Sequence, residues 1–191
     1  MTEYFLVAGL GNPSANYGKT RHNAGFWFAE KIAADHGINF VPESRFSGLT
    51  AKIEYAGRVV LLLKPQTYMN LSGRSVGAVS RYYKLAPEKI LVAHDELDFP
   101  AGITRLKMDG GHGGHNGLKD IIANIGSNNF LRLRIGIGHP GERSQVLDYV
   151  LGKPAGTERQ AIDDAITRSA ELLPKILCGA IAEAMNSLHA A

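Results

Sequence analysis

The stretch Thr20-Arg21-His22-Asn23-Ala24-Gly25 sets an imidazole and an amide side by side, next to an arginine, just before an apolar helical pattern. Histidine is the side chain whose unperturbed pKa suits proton transfer near neutral pH. At the mouth of a helix it sits on a rigid element and still faces outward, which suits a general base. A histidine alone is more often a surface or capping residue, so its company decides the reading. Asn12, Asn70, Asp95 and Asn116 each fall at the tip of an expected strand or in the loop after it. With His22 they make one base, one carboxylate able to orient it, and three amides. No serine or cysteine carries a convincing nucleophile motif. The set suits a base-activated water attacking an ester or amide, with the amides polarising the carbonyl.

Each of these residues also has a plainer reading. Asn12 precedes Pro13, as turn asparagines commonly do. Asn70 or Ser72 can cap the helix that follows. Glu96 and Asp98 read as surface ion-pair partners. Tyr17 lies in the polar loop before His22, where its ring either stacks on a base or anchors the loop. Gly9-x-Gly11 begins like a dinucleotide fingerprint, but Ser14 stands in place of the third glycine and Pro13 intrudes, so no cofactor is expected there. Asp109 to Gly117 holds five glycines in nine residues, a loop able to approach a ligand by its backbone. Asn116 or its neighbour is expected to cap the helix Leu118 to Ile125, whose N-terminus then offers free N–H groups to an anion or oxyanion. His112 and His115 have the spacing of a metal pair. The glycines make this a loop rather than a helix face, and no third ligand follows, so no metal is expected.

The elements that must hold these groups can be traced along the chain. Tyr4 to Leu10 reads as a buried strand, and Asn23 to His36 as a helix with Phe26, Ala29, Ile32 and Ala33 in period and Gly37 as its stop. Short strands are expected between Phe40 and Tyr55, then a strong strand from Arg58 to Leu63 and a helix running to Tyr83. Pro87 to Ala93 gives another buried strand, which ends at His94-Asp95. Ile103 to Lys107 alternates, with Arg105 and Lys107 on one face. Leu131 to Gly138 is a strand carrying Arg132 and Arg134, and Arg143 to Val150 a short helix. Thr157 to Leu188 is an amphipathic helical stretch that Pro174 and Gly179 kink or divide. Strands and helices alternate, which favours a single α/β domain over 1–191, a three-layer α/β/α arrangement around a twisted sheet of mixed parallel and antiparallel strands.

The composition sets outer bounds. A chain of 191 residues, 45% hydrophobic and 20% charged, fits one globular domain with a sizeable core. One cysteine, Cys178, rules out an internal disulfide and fits a reducing compartment. No apolar run approaches the length of a membrane span and no signal-peptide pattern opens the chain, so a cytoplasmic, non-membrane protein is expected. A net charge of +3 permits an anionic partner without requiring one.

Several stretches taken together resemble the bacterial-type peptidyl-tRNA hydrolase family. They are Gly9-Leu-Gly-Asn-Pro13, Tyr17 to Gly25, Tyr68-Met-Asn-Leu-Ser-Gly73, His94-Asp-Glu-Leu-Asp98, Gly110 to Leu118 and Arg132 to Gly141. They run in order as far as Leu151-Gly-Lys-Pro154. Asp109 stands where a small residue is expected, and the Phe99-Pro100-Ala101 turn also departs from the pattern. The resemblance implies hydrolysis of the ester between a peptide and the 3′-terminal ribose of tRNA, in a monomer using no metal and no cofactor. It implies His22 as base, Asp95 as its orienting partner and Asn12 beside them. Asn70, Asn116, His115, Tyr17 and Tyr68 would meet the substrate, and Lys107 and Arg134 a phosphate. Two other readings stay open: an RNA- or nucleotide-binding module without catalysis, and a metal-dependent hydrolase built on His112 and His115.

Overall fold

The computed structural model describes residues 1–190. Seven strands form one sheet: β1 (Glu3–Gly9), β2 (Val41–Glu43), β3 (Gly48–Tyr55), β4 (Arg58–Pro65), β5 (Ile90–Glu96), β6 (Thr104–Met108) and β7 (Leu131–Gly136). Their order across the sheet is β2-β3-β4-β1-β5-β7-β6. The central four, β4, β1, β5 and β7, run parallel, and antiparallel pairs close both edges. The mixed sheet is as the alternation implied. The tips of β4, β1, β5 and β7 therefore open on the same end, where α/β proteins place ligands.

Seven helices cover the sheet: α1 (Ala24–Asp35), α2 (Ser72–Tyr83), α3 (Asn116–Ile125), α4 (Val146–Val150), α5 (Gly156–Ala170), α6 (Leu173–Leu177) and α7 (Ile181–His189). Alternate strand residues sort the core into two layers. Leu6, Ala8, Leu61, Leu63, Ile90 and Val92 pack with Val76 and Val79 of α2 and Leu118 and Ile121 of α3. Val7, Val60, Leu62, Leu91 and Leu133 face the other way, onto Phe28 and Ile32 of α1 and Ile162 and Ile166 of α5. The C-terminal stretch breaks just ahead of Pro174, which sits in the first turn of α6, and Gly179 at φ 84° ends that helix. α7 then docks on the sheet edge, where His189 Nε2 accepts the N–H of Leu106 at 3.2 Å. The indole of Trp27 in α1 donates to the carbonyl of Gly18 at 2.9 Å, and the Arg159 guanidinium of α5 lies 3.6 Å above its ring.

One capping expectation fails. Neither Asn70 nor Ser72 caps α2: Asn70 is exposed, and the Ser72 hydroxyl donates to the Met69 carbonyl at 2.7 Å. The carboxylate of Asp120 in α3 accepts the N–H of Gly73 at 2.7 Å. A charged acceptor brought in by a neighbouring helix satisfies the free N–H better than a local neutral group does.

Candidate active site

His22 lies in a short 3-10 turn, Arg21–Asn23, that runs directly into α1. The turn is pinned from both sides. Arg21 N–H donates to the Gly152 carbonyl at 3.0 Å, and its guanidinium reaches the Tyr149 carbonyl at 3.1 Å and the Glu158 carboxylate at 3.0 Å. On the other side Asn23, fully buried, brackets Asn12: its Oδ1 accepts Asn12 N–H at 2.8 Å and its Nδ2 donates to Asn12 O at 3.0 Å. Gly9 and Gly25 let α1 touch the tip of β1, since a Cβ on Gly9 would sit 2.1 Å from the Gly25 carbonyl oxygen. The Gly9-x-Gly11 pair thus serves backbone packing against α1.

Asp95 comes from the end of β5. The alternation that turns Val92 toward α2 and α3 points Asp95 to the α1 side of the sheet, where it is 4% exposed. His22 Nδ1 lies 2.9 Å from both Asp95 oxygens, and His115 Nε2 lies 2.9 Å from Oδ1. His115 is the N-cap of α3, and its Nδ1 accepts the N–H groups of Gly117 and Leu118 at 3.2 and 3.3 Å. That cap settles the tautomer. A nitrogen that accepts two N–H groups carries no proton, so Nε2–H donates to Asp95. Asp95, accepting there and from His22 Nδ1–H, leaves His22 Nε2 without a partner among the described residues and able to take a proton.

The electrostatics follow from this geometry. Burial works to raise the Asp95 carboxyl, but His22 and His115 hold it well below the usual carboxylate range. Burial works to lower His22, and the charge and hydrogen bond of Asp95 outweigh it, so its pKa stands above 6.5. His94, adjacent in β5, faces the other layer. Burial, with His115 beside it, pushes its pKa down to about 3. Its Nδ1–H donates to the Asp95 carbonyl at 2.8 Å, while Nε2 is buried with no partner among the described residues.

Two clefts open over these groups. The larger, about 630 Å³, is lined by His22, Asp95, His115 and Asn116, and walled on one side by the apolar Val146, Leu147 and Val150. A neighbouring cleft of about 280 Å³ shares His115, Glu96 and Asp98 with it and adds His94, Lys107 and Arg134. The Arg134 guanidinium is held by Glu96 at 2.6 Å and lies 3.7 Å from Asp98, whereas Lys107 makes no ion pair among the described residues. Glu96 and Asp98 thus read correctly as ion-pair partners.

The three amides prove unequal. Asn12 is buried, its Oδ1 accepts the Met69 N–H at 2.8 Å, and its Nδ2 has no protein partner among the described residues. Asn70 and Asn116 are exposed. Tyr68 is 64% exposed and Tyr17 half-buried, and neither lines the two clefts. The α3 N-terminus is not open to an oxyanion as expected, because the ring of His115 already takes two of its N–H groups.

His112 Nδ1 accepts the Gly114 N–H at 3.0 Å. Among the described residues the group with metal-ligand spacing is His22, Asp95 and His115, whose donor atoms lie within 4.8 Å of one another. The protons those atoms carry in the hydrogen-bonded trio occupy the positions a cation would need, so the set fits a proton relay better than a metal.

Four residues with parts here were given none by sequence pattern: Asn23, His94, Asp120 and Arg132. Arg132 is 2% exposed and grips the glycine loop, donating to the carbonyls of Gly110 at 2.5 Å, Gly111, and Asn128 at 3.1 Å. Asp109 in that loop has φ 58°, a conformation Asp tolerates better than most residues, which accounts for the small residue expected there. Asn23 was visible beside His22. The others announce themselves only through space.

Comparisons with known proteins converge on one family. The family model for peptidyl-tRNA hydrolase matches residues 6–191. A peptidyl-tRNA hydrolase of Methylococcus capsulatus is 54% identical over 184 residues, covering 96% of this chain and 98% of that protein. One of Yersinia enterocolitica is 52% identical over 190 residues, covering 99% and 96%. A crystal structure of peptidyl-tRNA hydrolase from Acinetobacter baumannii superposes with a TM-score of 0.94 at 48% identity, covering 98% of this chain and 95% of that one. A fold, a cleft and a chain-long likeness that coincide in this way place the protein in the peptidyl-tRNA hydrolase family.

Proposed function

We propose that this enzyme cleaves the ester joining a peptide to the 3′-terminal ribose of tRNA, with water activated by His22. The observation that carries the mechanism is the His115–Asp95–His22 trio, in which one ionised carboxylate accepts from two imidazoles and leaves a single ring nitrogen free. His22 Nε2 takes a proton from water, and the resulting hydroxide adds to the ester carbonyl. Asp95 stabilises the imidazolium as it forms. When the tetrahedral intermediate collapses, the same proton passes to the departing ribose oxygen. The free Nδ2 of Asn12 is the donor suited to the peptide or the developing oxyanion.

The remaining assignments follow from position. Asn116 and the Val146–Leu147 wall would meet the peptide, and Tyr17, Tyr68 and Asn70 the acceptor end. Lys107, with Arg134, would hold a phosphate; the pairing of Arg134 with Glu96 leaves Lys107 as the stronger of the two. No helix among the described residues is long and apolar enough to cross a membrane. We take the enzyme to act as a monomer in the cytoplasm, where its substrate arises; sedimentation checks the first.

The deciding assay compares N-acetyl-aminoacyl-tRNA with the unacetylated form. Ester loss from the first alone, undiminished after exhaustive chelation, is the expected result. Tight tRNA binding without turnover would instead make this a binding module, and loss of activity on chelation would make it a metal enzyme.

A further inference from the structure

The two helical layers differ in charge. The layer of α1, α5, α6 and α7 carries six carboxylates against four cations. Much of that charge is paired: Lys31 with Asp35, Arg159 with Asp163, Glu158 with Arg21 and Glu30 with Lys64. The layer of α2 and α3 is the reverse. Arg74, Arg81 and the α2 cap Lys84 are exposed and stand on a helix with no Asp or Glu, and Lys119 of the neighbouring α3 is exposed as well. Among the described residues none of these four cations makes an ion pair or a hydrogen bond, and the one acid of the layer, Asp120, is committed to the Gly73 N–H. At the far end Tyr82 is 54% exposed, with the Arg45 guanidinium 4.8 Å above its ring.

From this we infer that the outer face of α2, from Arg74 through Arg81 to Lys84, is a docking surface for the phosphodiester backbone of the tRNA body. The inference rests on the hydrolase reading above. Charge complementarity selects the occupant: unpaired cations lined along a helix release counterions when they meet a phosphate track. Continuity gives the direction, because α2 begins at the turn Met69–Leu71, whose Met69 N–H is held by Asn12 at the active site. With twelve residues α2 extends about 18 Å away from the cleft. A net charge of +3 is too small to bind tRNA by its overall field, so the attraction must be concentrated.

The test replaces Arg74, Arg81 and Lys84 with Gln together. With full-length N-acetyl-aminoacyl-tRNA the KM should rise about tenfold at moderate salt, with kcat unchanged and the salt slope of log kcat/KM flattened by ~2. With a short substrate carrying only the esterified CCA end, both constants should match wild type, which also reports an intact fold. Should the triple variant fail to fold, single Arg74→Gln and Lys84→Gln changes should each give a two- to threefold rise. An unchanged KM and slope on full-length tRNA overturns the inference, as does an equal loss on the short substrate. Weakened binding to anionic vesicles with no change toward tRNA would overturn it in favour of a lipid surface. If wild-type protein cleaves neither substrate, the hydrolase reading fails, and binding of uncharged tRNA to the two proteins still tests the stripe.

Discussion

The floor and the rim of the cleft are built on opposite plans. On the floor, His22, Asp95 and His115 form one hydrogen-bonded set and Asn23 with the Asn12 backbone a second, all at 2.8–3.0 Å. At the rim, Asn116, Asn70, Tyr68 and Lys107 are exposed and their side chains have no hydrogen-bond partners among the described residues. The difference follows from what each must do. A proton-transfer pair must be held to within about half an ångström, and buried charges must be satisfied before substrate arrives. Rim groups meet a macromolecule that brings its own partners, and prior pairing would compete with it.

Breaking the floor should therefore cost far more than trimming the rim. His22→Ala should lower kcat by ~10³-fold while tRNA binding and the far-UV spectrum stay near wild type; a folded variant with normal turnover would remove His22 from its role. Asp95→Asn should lower kcat by ~10²-fold, less than loss of the base itself. It should also move the acid limb of the pH profile. In the wild type that limb should lie above the ordinary imidazole range, since Asp95 raises His22; without the carboxylate charge, burial dominates and the limb should fall below it. A limb that stays in place would assign it to another group.

His94 tests the floor by stability rather than rate. Its pKa is pushed down to about 3 in the fold, so the neutral form contributes stability that is complete above 6.5 and is lost as pH falls toward 3. Wild-type unfolding free energy should drop by about 2 kcal/mol between pH 7 and 5 from this group, and His94→Gln should abolish that part of the slope. Rim variants should leave the slope alone.

Asn12 straddles the two regions, with Oδ1 fixed and Nδ2 free. Asn12→Ala should narrow the rate ratio of N-acetylated to free aminoacyl-tRNA by about tenfold, since a donor suited to a neutral amide is lost. If both rates fall in step, Asn12 only shapes the turn. The smallest effect belongs to Lys107→Ala: a two- to fourfold rise in KM and a salt slope shallower by ~1, with kcat untouched. A drop in kcat would mean that Lys107, whose ammonium lies 2.8 Å from where a Gly110 Cβ would stand, supports the glycine loop.

Which parts of this were legible in the chain follows from the range of the interaction involved. Strand tips, helix periods and the His22–Asp95 pair could be read because apolar runs and their polar ends are local in sequence. Long-range clamps could not. Asp120 wins the cap of α2 from Asn70 and Ser72 only because α3 packs alongside, and Arg132 looks like any strand arginine until the loop of Gly110 and Gly111 folds over it. At α3 the cap was expected from Asn116 or its neighbour, and His115 supplies it; what the sequence did not show is that this ring takes the N–H groups expected to stay open to an anion.

The placement of Trp27 gives the molecule a built-in optical probe. It is the sole tryptophan, 5% exposed, with its indole N–H tied to Gly18 in the loop that carries Tyr17 and its ring under Arg159. Ultraviolet emission excited at the red edge therefore comes from one fluorophore, between the loop before His22 and α5. Release of the Gly18 carbonyl or withdrawal of the guanidinium alters that fluorophore's surroundings directly, so loop movement on tRNA arrival can be timed by stopped-flow without attaching a dye.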